Sequence, residues 1–338
     1  MKWIPIRAGD LFLYGLYDHP DAGFCRMPRS VVEAVTKEAI RPTVQALYTT
    51  TSGGRLRLVT DSQVIALRVQ LGAAYFGGRS TFLGTSGFDV YQNTENGWQY
   101  AGCLVTEDTT QKDYEVSLRF GTSKQRELLF YFPLYSEVKS IQLGLEDSSV
   151  LMPSPDYRSG KKVVFYGSSI TQGGCTPRPG MNYPAILSRR LDFDFVNLGF
   201  SDGARAEPSM VKYLCSLPMD VLVCDYDHNA IDPEYLRNTH LKMYQTIREQ
   251  RPELPIIIAS APVAHLDNEF YERREIILKT FQYARDNGDT RIEFVDGAAM
   301  YPPECREECS IDRIHPNGLG MYYMANAFEP ALARMLSY

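Results

Sequence analysis

The sequence predicts an α/β chain in two parts. An N-terminal antiparallel β-sandwich of jelly-roll type spans residues 1–155, and a three-layer α/β/α domain with a five-stranded parallel sheet spans residues 156–338. Three observations carry this. Apolar and polar residues alternate through much of 56–145; after 160, short unbroken apolar runs alternate with amphipathic stretches of helical length; and Pro153, Pro155, Ser159 and Gly160 punctuate the change. A length of 338 residues also favours two domains over one.

In the first part, Ile65, Leu67, Val69 and Leu71 alternate with Ala66, Arg68 and Gln70. Tyr114, Val116, Leu118 and Phe120 repeat the pattern, as do Ile141, Leu143 and Leu145. Ser52-Gly53-Gly54, Gly77-Gly78 and Asn96-Gly97 supply turns between such strands. In the second part the runs Val163–Tyr166, Phe195–Leu198, Val221–Asp225, Ile256–Ala259 and Ile292–Val295 read as buried strands. Helical stretches follow them at Tyr183–Leu191, Pro208–Leu217, Pro233–Glu249, Phe270–Arg285 and Asn317–Met335. Five βα units imply a parallel sheet covered on both faces, with a flavodoxin-like strand order.

Composition narrows the partners. A net charge of -6 without a basic run disfavours nucleic acid, and no apolar stretch is long enough to span a bilayer. Arg7 and Asp10 interrupt the N-terminus where a signal peptide needs a continuous apolar segment, and seven scattered cysteines suit free thiols, so a cytoplasmic location is expected. Cys305 and Cys309 are the one tight pair, and without further ligands nearby they do not suggest a metal site.

The chemistry concentrates at Val163-Val164-Phe165-Tyr166-Gly167-Ser168-Ser169-Ile170-Thr171-Gln172-Gly173-Gly174, where a buried strand ends at glycine and presents two hydroxyls. That edge of a parallel sheet is where open α/β folds bind ligands. A nucleophilic serine needs a base, and the base an orienting acid. Of five histidines, His315 lies in Asp312-Arg313-Ile314-His315-Pro316-Asn317, where a carboxylate precedes the imidazole by three residues just before a helix. The loops Asn197–Gly203 and Asp225–Asn229 follow the second and third strands and emerge at the same edge, where a backbone N–H and the Asn229 amide can face an oxyanion. Each residue also has an ordinary reading: Ser169 as a helix N-cap, Asp312 as the cap of the last helix, His315-Pro316 as its first turn.

Taken together these blocks resemble the SGNH, or GDSL-type, hydrolases: Gly167-Ser168-Ser169-Ile170, the glycine block Asn197 to Gly203, Asn229, and Asp312-Arg313-Ile314-His315, in the family's order. Gly87-Phe88-Asp89-Val90-Tyr91 is similar to the Gly-x-Asp-Leu-Tyr signature of a β-sandwich domain preceding a subset of them, and Gly173 to Met181 to a loop of that subset. The resemblance implies Ser169 as nucleophile, His315 as base, Asp312 as its orienting acid, and an oxyanion hole from Ser169, Asp202 or Gly203, and Asn229. It implies a carbohydrate esterase of the acetyl-xylan type acting on acetylated oligosaccharides, with no metal or organic cofactor.

Two departures stand out. Ser168 replaces the usual Asp, and Asp202 falls where the oxyanion glycine belongs, bringing a carboxylate near developing negative charge. Arg178, His228 and His265 are candidate substrate contacts. Acyl transfer to another acceptor is one alternative, and a carbohydrate-binding protein with a degenerate site is another. The first domain is expected to wall the cleft or to form a homo-oligomer contact.

Overall fold

A computed structural model describes residues 1–75, 77–262 and 267–338. The chain divides into two compact units, and the division is less simple than a cut at 155 and 156. The first unit comprises residues 1–27, 48–156 and 177–180, and the second comprises 28–47, 157–176 and 181–338.

The first unit is built on antiparallel sheets. One sheet runs Lys2–Pro5, Ser136–Leu145, Val64–Ala74, Asp113–Arg119; the other runs Leu151–Pro153, Arg55–Thr60, Arg126–Tyr131, Phe88–Thr94, Gly97–Leu104. The alternation read from sequence is the inward face: Ile65, Leu67, Val69 and Leu71 of one sheet share a core with Leu56, Leu58, Phe88, Val90, Leu128 and Phe130 of the other. Period-two side chains alternate between the faces, so each strand contributes every second residue to that core. Asn96-Gly97 makes the turn joining Phe88–Thr94 to Gly97–Leu104.

The second unit holds the five-stranded parallel sheet. Lys162–Gly167 lies between Asp194–Gly199 and Val221–Asp225, followed outward by Ile256–Ala259 and Ile292–Val295. This is the flavodoxin-like order expected, and its switch point falls beside the strand that ends at Gly167. Val163, Val164, Phe165 and Tyr166 are wholly buried, as an unbroken apolar run in a doubly covered sheet requires. The helices Tyr183–Leu191 and Gly318–Leu336 pack together, as do Pro233–Gln250 and Asn268–Asp286.

Two helices missing from the sequence reading, Arg29–Glu38 and Thr43–Leu47, belong to this unit. Val32, Val35, Val44 and Leu47 are their buried residues, and Arg29–Glu38 packs against Pro208–Ser216. No helix among the described residues is long and apolar enough to cross a membrane.

Candidate active site

The turn that carries Ser169 exists because Gly167 has no side chain. A Cβ there would stand 1.8 Å from Oδ1 of Asp225 and 2.1 Å from Oγ1 of Thr171. The chain can therefore drop directly from the strand into the short helix Ser169–Gln172. Ser168, not Ser169, is the N-cap: its Oγ accepts from the Ile170 N–H at 3.1 Å, and the residue is buried. The two adjacent hydroxyls thus have different tasks, and Ser169 is left facing His315.

Ser169 Oγ lies 2.9 Å from Nε2 of His315, and Nδ1 of His315 lies 2.9 Å from Oδ2 of Asp312. Asp312 Oδ1 accepts from the N–H groups of His315 and Ile314 at 2.8 and 3.1 Å. Burial opposes the charge, but these donors and the imidazole overcome it and hold the Asp312 carboxyl down at about 2. At neutral pH Asp312 is therefore an ionised acceptor for the imidazole N–H. The sharp bend between acid and base leaves Arg313 at a φ of 71°. Asn317 caps the last helix, accepting from Leu319 and Gly320 N–H at 2.9 and 3.1 Å, so Asp312 is free of the capping role.

The glycine-block loop is laced to the serine helix. Asn197 Nδ2 donates to the Thr171 carbonyl at 2.7 Å, Ser201 N–H donates to Gln172 Oε1 at 2.9 Å, and a Cβ on Gly199 would stand 2.3 Å from the Gln172 nitrogen. Gly203 N–H donates to the Phe200 carbonyl at 3.1 Å, closing a turn, which removes it as an oxyanion donor. Asp202, at a φ of 52°, keeps its N–H out of that turn. Asn229 ends the short turn Asp227–Asn229 and donates through Nδ2 to the Phe200 carbonyl at 2.9 Å, with a second N–H on the same atom.

Asp225 closes the floor. It accepts from the Thr171 hydroxyl and, at 2.9 Å, from the Tyr183 hydroxyl, yet burial pushes its carboxyl up to about 8. The other histidines serve elsewhere: His19 Nε2 pairs with Tyr48 Oη at 2.8 Å, and His240 Nδ1 with Thr280 Oγ1 at 2.9 Å inside the core.

Of the candidate substrate contacts, Arg178 is committed within the first unit. Its Nη1 donates to Asp89 Oδ2 and Tyr91 Oη, each at 2.7 Å, and its guanidinium lies 3.8 Å from the Tyr100 ring centroid. The Asp and Tyr of the Gly-x-Asp-Leu-Tyr-like stretch are thus its receptors, which gives Arg178 an anchoring role within that unit. His228 lines a cavity of about 380 Å³ that also touches Asp227, Phe270, Arg273 and Asp312. Burial lowers its pKa, and Nε2 lacks a partner among the described residues. His265 lies outside the described residues.

Sequence reasoning missed Arg205, Arg41 and Thr43, which hold Asp202. The only sequence signal was the spacing of Arg205 three residues after Asp202; the partners 41 and 43 lie some 160 positions away and leave no local pattern.

A strand-end serine, an imidazole and a carboxylate in one hydrogen-bonded line, on an α/β/α sheet of this order, form the arrangement that serine acyl-transfer chemistry requires. More specifically, the chain belongs to the GDSL-like lipase/acylhydrolase family, whose profile matches residues 160–333. A second profile, the N-terminus of SGNH-hydro-type esterases with the GxDLY signature, matches residues 15–151. Among solved structures, a Bacteroides ovatus protein described as a GDSL-like lipase is 26% identical, with a TM-score of 0.86, over 99% of this chain and 98% of that one. The salicylyl-acyltransferase of a tetracycline biosynthetic pathway is 20% identical, with a TM-score of 0.77, over 98% and 97%. An acetyl xylan esterase of the rumen bacterium Butyrivibrio proteoclasticus is 13% identical, with a TM-score of 0.58, over 86% and 92%. No curated protein matches the sequence.

Proposed function

We propose that the protein is a serine esterase that removes acetyl groups from acetylated carbohydrates of the xylo-oligosaccharide class. The observation that carries the mechanism is the line of contacts from Ser169 through His315 to Asp312, both 2.9 Å. Ser169 Oγ attacks the ester carbonyl carbon while His315 Nε2 takes its proton, and Asp312 fixes the imidazole with Nδ1 protonated. The carbonyl oxygen, now negative, is received by the Ser169 and Asp202 N–H groups and by Asn229 Nδ2. His315 returns the proton to the departing sugar oxygen, leaving acetyl-Ser169. A water then attacks, gives its proton to His315, and acetate leaves as the proton returns to Ser169.

The substrate class rests on the likeness to the acetyl xylan esterase and on the motif set. A second reading, transfer of the acyl group to an alcohol in place of water, is favoured by the greater structural likeness to an acyltransferase along almost the whole chain. The odd count of seven cysteines supports a reducing compartment as part of the same proposal.

Acetate release from acetylated xylo-oligosaccharides, beside para-nitrophenyl acetate and with Ser169→Ala as control, tests both readings. Serine-dependent release from the oligosaccharide is the expected result. Turnover of the aryl ester alone discards the substrate, and acyl products that appear only with an added alcohol acceptor establish transfer.

A further inference from the structure

In the mechanism proposed above Asp202 supplies an N–H to the oxyanion, and its carboxylate would bring negative charge to the same place. Both oxygens of its carboxylate are engaged by arginines: Oδ1 accepts from Arg205 Nη2, and Oδ2 from Arg41 Nη1 at 2.7 Å. Its carbonyl accepts from the Thr43 hydroxyl at 2.6 Å. Arg205 is itself buried, 2% exposed, and its Nε donates to the Asn229 carbonyl at 2.7 Å. One rigid guanidinium therefore ties the loop bearing Asp202 to the turn bearing Asn229, and so spaces two proposed oxyanion donors.

The backbone around this guanidinium is strained. Asp202 and Ala206 have φ values of 52° and 58°, the left-handed region that costs a residue with a Cβ about 1–2 kcal/mol. Such conformations persist where the surroundings over-determine them, and they gather at functional sites. Here the Thr43 hydroxyl pins one bend, and the Tyr166 hydroxyl accepts from the Ala206 N–H at 2.8 Å at the other. The Arg41–Asp202 pair is largely exposed, at 62% and 42%, so its contribution to folding is small and its placement calls for another reason.

We propose that Arg205 and Arg41 are positioning residues of the oxyanion hole. Arg205 sets the Asp202 N–H against Asn229 Nδ2, and the two guanidinium groups together neutralise the Asp202 carboxylate and hold it off the developing oxyanion. The N-terminal segment 28–47 thereby takes part in the reaction through Arg41 and Thr43. This inference rests on the serine-esterase reading above.

The test is a double-mutant cycle on para-nitrophenyl acetate hydrolysis, with melting temperatures recorded for every variant. Arg41→Ala, at an exposed site, lowers kcat about tenfold with KM changed less than about twofold and the melting temperature nearly unmoved. In an Asp202→Gly background the same Arg41→Ala change alters kcat less than about twofold, because no carboxylate is left to hold. Arg205→Lys keeps the charge but loses the fork, and lowers kcat about tenfold or more. A wild-type kcat for Arg41→Ala, or an equal loss in both backgrounds, overturns the proposal. Activity retained in Ser169→Ala overturns the serine-esterase reading instead, and the two failures are thereby told apart.

Discussion

Asp225→Asn is the substitution whose effect follows most directly from the physics of the site. Burial raises the Asp225 carboxyl from its ordinary 3.8 to about 8, against the opposing pull of the Thr171 and Tyr183 hydroxyls. A carboxyl whose folded pKa lies above its unfolded value contributes stability that is full below about pH 4 and is lost as pH rises toward 8. Each unit in that window is worth about 1.4 kcal/mol, so moving from pH 5 to pH 8 costs the wild-type protein about 4 kcal/mol through this one group. Asn has nearly the shape of the neutral acid and no proton to lose. Asp227 and Glu207, also pushed up by burial, are present in both proteins and cancel in the difference.

In a unit of about 200 residues, 1 kcal/mol shifts the melting temperature by about 2–4 °C. Asp225→Asn should therefore melt above wild type by a margin that is small near pH 4 and widens by about 8–16 °C between pH 5 and pH 8. Differential scanning calorimetry across that range is the assay. A gap that stays constant, or one that opens toward acid, refutes the assignment of a protonated Asp225 beneath the serine turn.

The remaining predictions separate neighbouring roles. Ser169→Ala should abolish ester hydrolysis, whereas Ser168→Ala should keep most activity and cost about 1 kcal/mol of stability for the lost cap, read from activity and melts side by side. Asn229→Ala should lower kcat by roughly a hundredfold to a thousandfold, with a smaller change in KM; an unchanged kcat removes Asn229 from the mechanism. Arg178→Ala takes the guanidinium away from the buried Asp89 carboxylate and should destabilise the first unit by up to about 3–5 kcal/mol, visible in chemical denaturation.

Much of the fold was legible because burial leaves a periodic trace. Val163 to Tyr166 and Val221 to Asp225 are unbroken because neighbours cover both of their faces, while Ile65 to Leu71 alternates because only one face looks into the core. The helix Arg29–Glu38 was missed because its buried set, Val32 and Val35, is a single turn long and Pro28 supplies no side-chain cap. At the site, Ser169, Asp312 and His315 were legible because acid and base lie three residues apart and the serine ends a strand. Which of two serines caps the helix, and which of Asp202 and Gly203 spends its N–H on closing the turn, depend on turn geometry that neither composition nor spacing encodes. The clamp on Asp202 was invisible for a different reason: its parts come from residues 41, 43 and 205 and meet only in the folded unit.

The interleaving of the two units has a consequence for how the protein is made and how it can be divided. Because 28–47 emerges from the ribosome long before the parallel sheet it packs against, and 177–180 emerges after the sandwich it joins, neither unit can finish folding during synthesis in simple N-to-C order. The first must wait for a four-residue insert that arrives late, and the second must keep an early helical hairpin in reserve. A gene fragment beginning at residue 156 would encode every signature block of the hydrolase and still lack Arg41 and Thr43. Shuffling these parts between relatives at the apparent boundary would separate Arg29–Glu38 from the helix Pro208–Ser216 it packs against.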